Sequence, residues 1–195
     1  LTFSGILDGT GTFSNTGFMT FSNPGTISNM FSNSSTSNVS FAPGTTPVTF
    51  GALVSNAGFF GLTGNSVTFS MGYNQSGGRL QLGPNSTVTG PITVNAGNLA
   101  GFGVINGNVA INSGVLIPGS SPGSMTINGD LTLSANSVLD IELLSNGEVQ
   151  GVDYDYINVS NTANLAGTLQ IRDTSGASSV GGGLGAPQTF NFLEA

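Results

Sequence analysis

The sequence predicts an all-β chain, and within that class a parallel β-helix of stacked coils. Three observations carry this. Helix-forming residues are scarce, and Gly interrupts almost every window of ten residues, so no stretch sustains a helical period. Short alternating runs occur throughout, each with two apolar residues on one face and a small or polar residue between them. These runs also resemble one another, as the coils of a repeat architecture must.

The alternating runs include Val67-Thr-Phe69, Leu80-Gln-Leu82, Ile92-Thr-Val94, Val109-Ala-Ile111, Leu131-Thr-Leu133 and Ile157-Asn-Val159. Gly, Asn, Pro or Ser follows each, which is what a turn requires. Ile92-Thr-Val-Asn-Ala-Gly-Asn-Leu99 aligns with Val109-Ala-Ile-Asn-Ser-Gly-Val-Leu116, and Leu131-Thr-Leu-Ser-Ala-Asn-Ser-Val138 has the same form. The unit is a strand, a corner of three to five residues, then another inward apolar residue. Copies recur at roughly 12 to 26 residues, within reach of solenoid coils. One unit cannot bury its apolar face alone, whereas stacked units cover each other. Stacking also accommodates Asn and Ser, because like residues in successive coils can form hydrogen-bonded ladders. The alternative is a β-sandwich of hairpins, for which Asn106-Gly107, Asn128-Gly129 and Asn146-Gly147 would serve as tight turns.

Composition narrows the functional classes. The 195 residues suit a single β-helix segment. Charged residues are only 6%, so hydroxyl and amide side chains must form most of the surface. There is no Cys, which removes disulfide bracing and thiolate metal sites and fits a bacterial exterior. Arg79 and Arg172 are the only cations, against nine acids. An electrostatic grip on nucleic acid needs clustered Lys and Arg, so that class is excluded, and attraction to anionic lipid is disfavoured for the same reason. No run approaches the ~18 apolar residues of a membrane span. The start at Leu1 without Met and the alternating run Phe190–Ala195 predict a mature or excised segment of a longer polypeptide.

Texture divides the chain into residues 1–64, rich in Phe, Ser and Asn; 65–171, the regular coils; 172–188, a Gly/Ser-rich loop; and 189–195, a strand cut short. Phe-Ser-Asn recurs at 13–15, 21–23 and 31–33, followed by Phe41 and Phe50, a spacing of eight to ten that predicts first coils with Phe stacked in the core. The competing reading of this composition is a self-associating, unstructured segment. Nearly all net charge lies after residue 129, which suggests a self-associating half and a solvated half.

Residues 99–171 become specific. Leu99-Ala-Gly-Phe-Gly-Val-Ile-Asn-Gly-Asn-Val109 is followed by a block of the form L-x-P-G-x-S-P-G-x-x-x-I-N-G-D-L over Leu116–Leu131. A second block, D-Y-D-x-I-x-V leading to L-x-G-T-L, runs from Asp153 to Leu169. These blocks resemble the passenger regions of bacterial autotransporter adhesins and the related autotransporter-associated β-strand repeat proteins. The resemblance implies a right-handed parallel β-helix on or outside a bacterial cell, engaged in adhesion, aggregation or display without catalysis. It implies that Pro118-Gly119 and Pro122-Gly123 are corners rather than ligand sites. The membrane barrel that often follows in that family is absent here, so the resemblance leaves the mode of anchoring open.

Without His, Cys or Lys, chemistry would fall to carboxylates, Tyr, Ser and Arg. Asp140 and Glu142 stand two apart on one predicted strand, about 7 Å from each other, within the separation that glycosidases use. A solvent-facing strand, with Leu139, Ile141 and Leu143 turned inward, explains them equally well. Asp153 and Asp155, near Glu148, form a candidate Ca²⁺ site of clustered carboxylates, although the spacing matches neither an EF-hand nor a Gly-rich nonapeptide repeat. Alternatively Asp155 caps or pairs in the corner before the Ile157 strand. Arg79 and Arg172 are each expected to pair with an acid. Sequons at Asn33, Asn38, Asn74, Asn85 and Asn158 carry no information in so Asn-rich a chain.

The expected function is therefore that of a non-catalytic structural or adhesive protein, secreted or on a bacterial surface. It would need no cofactor beyond a possible calcium ion. Its expected partners are further copies of itself, through open coil edges, or cell-surface and glycan ligands. The second hypothesis is a glycan-binding or glycan-cleaving secreted β-helix. For that, Tyr73, Tyr154 and Tyr156 are the only tyrosines available for sugar stacking.

Overall fold

A computed structural model describes residues 1–45, 47–119, 121–145, 149–174 and 191–195. Among the described residues there are twenty strands and no helix, and every pairing between strands is parallel. The chain is a β-solenoid of about 7 turns. At ~4.8 Å per coil the stack is roughly 35 Å long. The sandwich alternative fails on this point, because a hairpin pairs its arms antiparallel. Asn106 and Asn128 end their strands at solenoid corners, and the following chain turns onto the next face instead of folding back. Asn146-Gly147 lies outside the described residues.

Three columns of strands make the three faces. In the first, Met19, Val39, Phe60, Leu80, Leu99, Leu116, Leu139 and Leu169 follow one another by direct register. In the second, Val48, Val67, Val88, Ile105, Ile127 and Val159 do the same. In the third, Phe13, Phe31, Val54, Tyr73, Ile92, Val109, Leu131 and Ala163 are aligned. Alternation along each strand turns these residues, apart from the exposed Leu169, into one axial core. The ten-residue strands Tyr73–Leu82, Ile92–Gly101 and Val109–Pro118 each span two faces, bending at a mid-strand irregularity.

The core changes character along the axis. From Phe3 to Tyr73 it is a continuous contact network of rings, with centroids 4.9 to 6.5 Å apart and edge-on or tilted pairs predominating. Beyond Tyr73 it is aliphatic apart from Tyr154 and the partly buried Phe192. The Phe repeat of the first coils thus splits into two sets. Phe13-Ser-Asn15 stacks beneath Phe31-Ser-Asn33 on the third face. Phe21-Ser-Asn23 lies on the first face, and Asn23 adopts a left-handed φ of 55°.

A polar seam runs inside this apolar core. Asn15 Nδ2 donates to Asn33 Oδ1 at 2.8 Å, and Asn33 Nδ2 donates to Asn56 Oδ1 at 2.7 Å. Gln75 occupies the next rung, where Tyr73 Oη donates to its Oε1 at 3.2 Å and its Nε2 donates to Asn98 O at 2.9 Å. Each amide both donates and accepts, so these buried groups avoid the cost of unpaired polar atoms. Burial pushes the Tyr73 phenol well above its usual range. A second ladder lies on the outside, where Asn112 donates to Asn95 and Asn95 to Asn74, at 2.9 and 2.6 Å. The sequence separations across these ladders, 17 to 23 residues, measure the coil length.

Candidate functional site

The acidic residues concentrate at the C-terminal coils, on and beside the strand Leu131–Leu143. Asp140 and Glu142 are not solvent-facing, as an exposed strand would require: they are 8% and 9% exposed. Arg172 covers them from the next coil, where it is in register with Glu142. Its Nε lies 2.6 Å from Asp140 Oδ1 and its Nη1 2.8 Å from Glu142 Oε1. Ser121 Oγ donates to Glu142 Oε2 at 2.9 Å. The clamp raises the Arg172 pKa still further, chiefly through the hydrogen bond to Asp140.

This arrangement ties two coils together. Replacing Arg172 with Met would leave two shielded carboxylates uncompensated. The guanidinium is itself more than a third exposed, so the cost is below that of a fully buried pair, about 2 kcal/mol. Urea unfolding should show this loss, and the triple change Asp140→Asn, Glu142→Gln, Arg172→Met should recover most of it.

Asp153 and Asp155 are two apart in sequence but are engaged in different places. Asp153 binds within its own loop, where its Oδ1 accepts from Ser145 Oγ and its Oδ2 from the Val149 N–H at 3.0 Å. These bonds hold its pKa below the usual carboxylate range. Asp155 is fully buried. Its Oδ1 accepts the Gly123 N–H and its Oδ2 the Glu142 N–H, both at 2.9 Å. From its place before the Ile157 strand it therefore pins a different corner, Pro122-Gly123, to the strand Leu131–Leu143. Glu148, the third acid of the calcium reading, lies outside the described residues. Among the described residues no three His, Cys, Asp or Glu side chains converge where they could hold a metal ion.

Burial pushes the Asp155 carboxyl up to about 6, against the lowering effect of its two amide donors. A folded-state pKa above the unfolded value of 3.8 means that this group stabilises the fold at low pH, and that the contribution is lost as pH rises through 6. Asp153 is shifted the other way, and its contribution is lost only on acidification towards and below 3.8. Between pH 7.5 and 5 the Asp155 effect dominates. The unfolding free energy should rise by about 1 kcal/mol over that interval, and Asp155→Asn should abolish the slope.

The tyrosines form no sugar-stacking platform. Tyr73 and Tyr154 are buried, and Tyr156 donates its hydroxyl to Glu194 Oε2 at 2.7 Å, which raises its pKa to about 12. Arg79, expected to pair with an acid, makes no ion pair among the described residues, and its Nε is buried without a partner. Arg172 does pair with acids, as expected, but the sequence did not show which ones. Its partners lie about thirty positions away, and only the coil register brings them together.

The fold and its clamps define a parallel β-solenoid whose acidic groups bind its own corners and coils. Over 72 residues the chain is 43% identical to a protein described as the adhesin BmaC autotransporter, from Brucella suis biovar 1 (strain 1330). That stretch is 36% of this chain, and it spans only 2% of the adhesin's length. No family model matches the chain, and no solved structure matches it. Among the described residues no helix is long and apolar enough to cross a membrane.

Proposed function

We propose that the chain is part of a non-catalytic structural or adhesive protein, secreted or displayed on a bacterial surface. The similarity to an autotransporter adhesin, falling on a parallel solenoid, carries this reading. The side-chain chemistry agrees with it. The carboxylates closest to a glycosidase spacing are clamped by Arg172, and Asp155 is spent on two backbone amides. A stack of coils offers long, regular outer faces of Asn, Ser and Thr for lateral contact. Self-association through coil edges is part of the same proposal, since an unpaired strand edge templates another strand.

The test displays the chain on a non-adherent bacterium and on latex beads. Attachment to epithelial monolayers, or clumping of the displaying cells, is expected to rise above that of the bare carrier. If neither rises on either carrier, the adhesive reading fails. Electron microscopy at increasing protein concentration separates the modes: filaments with a ~4.8 Å axial repeat indicate edge-to-edge joining, and dispersed rods indicate lateral adhesion alone.

A further inference from the structure

The two cations of the chain line one groove. A depression of about 400 Å³ on the first face has Arg79 and Gln81 at one end, Ile117 and Ser121 along it, and Glu142 with Arg172 at the other end. The registers set its length. Gln81 pairs with Ala100, Ala100 with Ile117, Leu116 with Leu139, and Glu142 with Arg172. The strands bearing the two arginines are therefore four coils apart, roughly 19 Å between backbones.

The two guanidinium groups differ in state. Arg172 is neutralised by Asp140 and Glu142. Arg79 has no counterion among the described residues, and its Nε is shielded from water with nothing to donate to. With no acid beside it among the described residues, the charge of this guanidinium is available to an anion that enters the groove. In a chain with a net charge of −7, a cation at the head of a groove with no counterion among the described residues is the conspicuous exception.

We propose that this groove binds an acidic saccharide, with Arg79 receiving its carboxylate. A planar guanidinium matches a carboxylate with two parallel hydrogen bonds. The rest of the groove suits a sugar rather than a polyanion. Ile117 offers an apolar surface to a ring face, and the Gln81 amide, the Ser121 oxygen and the Glu142–Arg172 pair offer acceptors and donors to hydroxyls. The excess negative charge of the chain repels densely charged ligands, but tolerates a carboxylate separated from the next by neutral hydroxyls. This inference rests on the adhesive reading and names the ligand class of one outer face.

The experiment titrates the chain with trigalacturonate, with neutral galactotriose and with an acidic hexapeptide, by calorimetry at low salt. Trigalacturonate is expected to bind, and galactotriose to bind at least about tenfold more weakly, the worth of one charge-assisted contact. Arg79→Gln should lower the affinity for trigalacturonate by a similar factor while the melting temperature holds or rises, since Arg79 makes no ion pair among the described residues. The idea is overturned if trigalacturonate gives no heat, if Arg79→Gln binds it unchanged, or if the hexapeptide binds as tightly. Bead adhesion is measured in parallel. Beads that adhere while trigalacturonate fails to bind refute the groove and leave the adhesive reading standing.

Discussion

Alanine at Gly97 is expected to destabilise the solenoid by about 3–4 kcal/mol and to reduce the yield of folded protein. Gly97 sits at the corner between the third and first faces with φ +82°, and a Cβ there would approach Gly78 O to well under 3.0 Å. The same crowding recurs up the column. A Cβ on Gly78 would meet Gly58 O, and one on Gly114 would meet Gly97 O, again with positive φ. Each carbonyl belongs to the coil beneath, so no side chain can move aside, and relief requires the coils to part. The left-handed backbone alone costs an L-residue about 1–2 kcal/mol. Gly44 isolates that term, because its φ is +71° but nothing lies within 4 Å of its Cβ position. Gly44→Ala should cost about 1 kcal/mol, and the difference between the two variants in urea midpoint measures the crowding at the stacked corner.

Phe60→Ala is the second large effect, with an expected loss of about 3–5 kcal/mol. Phe60 is fully buried and its ring contacts those of Phe31, Phe41, Phe50, Phe69 and Tyr73, at centroid distances of 5.6 to 6.5 Å. These rings come from coils above and below it as well as from its own, so the cavity would open at a junction of neighbouring layers. In a solenoid, stability is a sum of coil terms and nearest-neighbour interfaces, and loss at one layer weakens those on both sides. Hydrogen exchange should show protection lost first in the strands Met30–Asn33, Phe59–Leu62 and Ser66–Phe69. The strands Val109–Pro118 and Ser124–Asn128, in the aliphatic part of the core, should be less affected.

What the sequence made legible follows the physics of stacking. Runs such as Ile92-Thr-Val94 and Val109-Ala-Ile111 reveal strand, face and repeat, because the two-residue period and the coil register coincide, and the structure pairs those residues directly. The general expectation of Asn ladders was readable as well. The particular ladder Asn15–Asn33–Asn56–Gln75 was not, because its separations vary from coil to coil and its last rung changes residue type. The pair at Asp140 and Glu142 was visible, yet its environment was misread. Strand alternation places both on the outer face, but it says nothing about an arginine laid over them from the next coil. The reach of Asp155 to Gly123, 32 residues away, was invisible for the same reason. Arg79 shows the converse error, since it was expected to pair with an acid and the structure leaves it without a counterion among the described residues.

The parallel stack itself is tested most directly by distances along one outer row. Ser32, Ser55, Asn74, Thr93, Ala110, Thr132 and Asn164 follow one another in register, one per coil, on the third face. Spin labels on Ser32 paired with Ala110, Thr132 or Asn164 in turn should give distances that lengthen by ~4.8 Å per coil, from about 19 to 24 to 29 Å. Such a linear series is the signature of a parallel solenoid. Distances that fail to grow in order, or that bring Ser32 and Asn164 as close as adjacent strands, would contradict it.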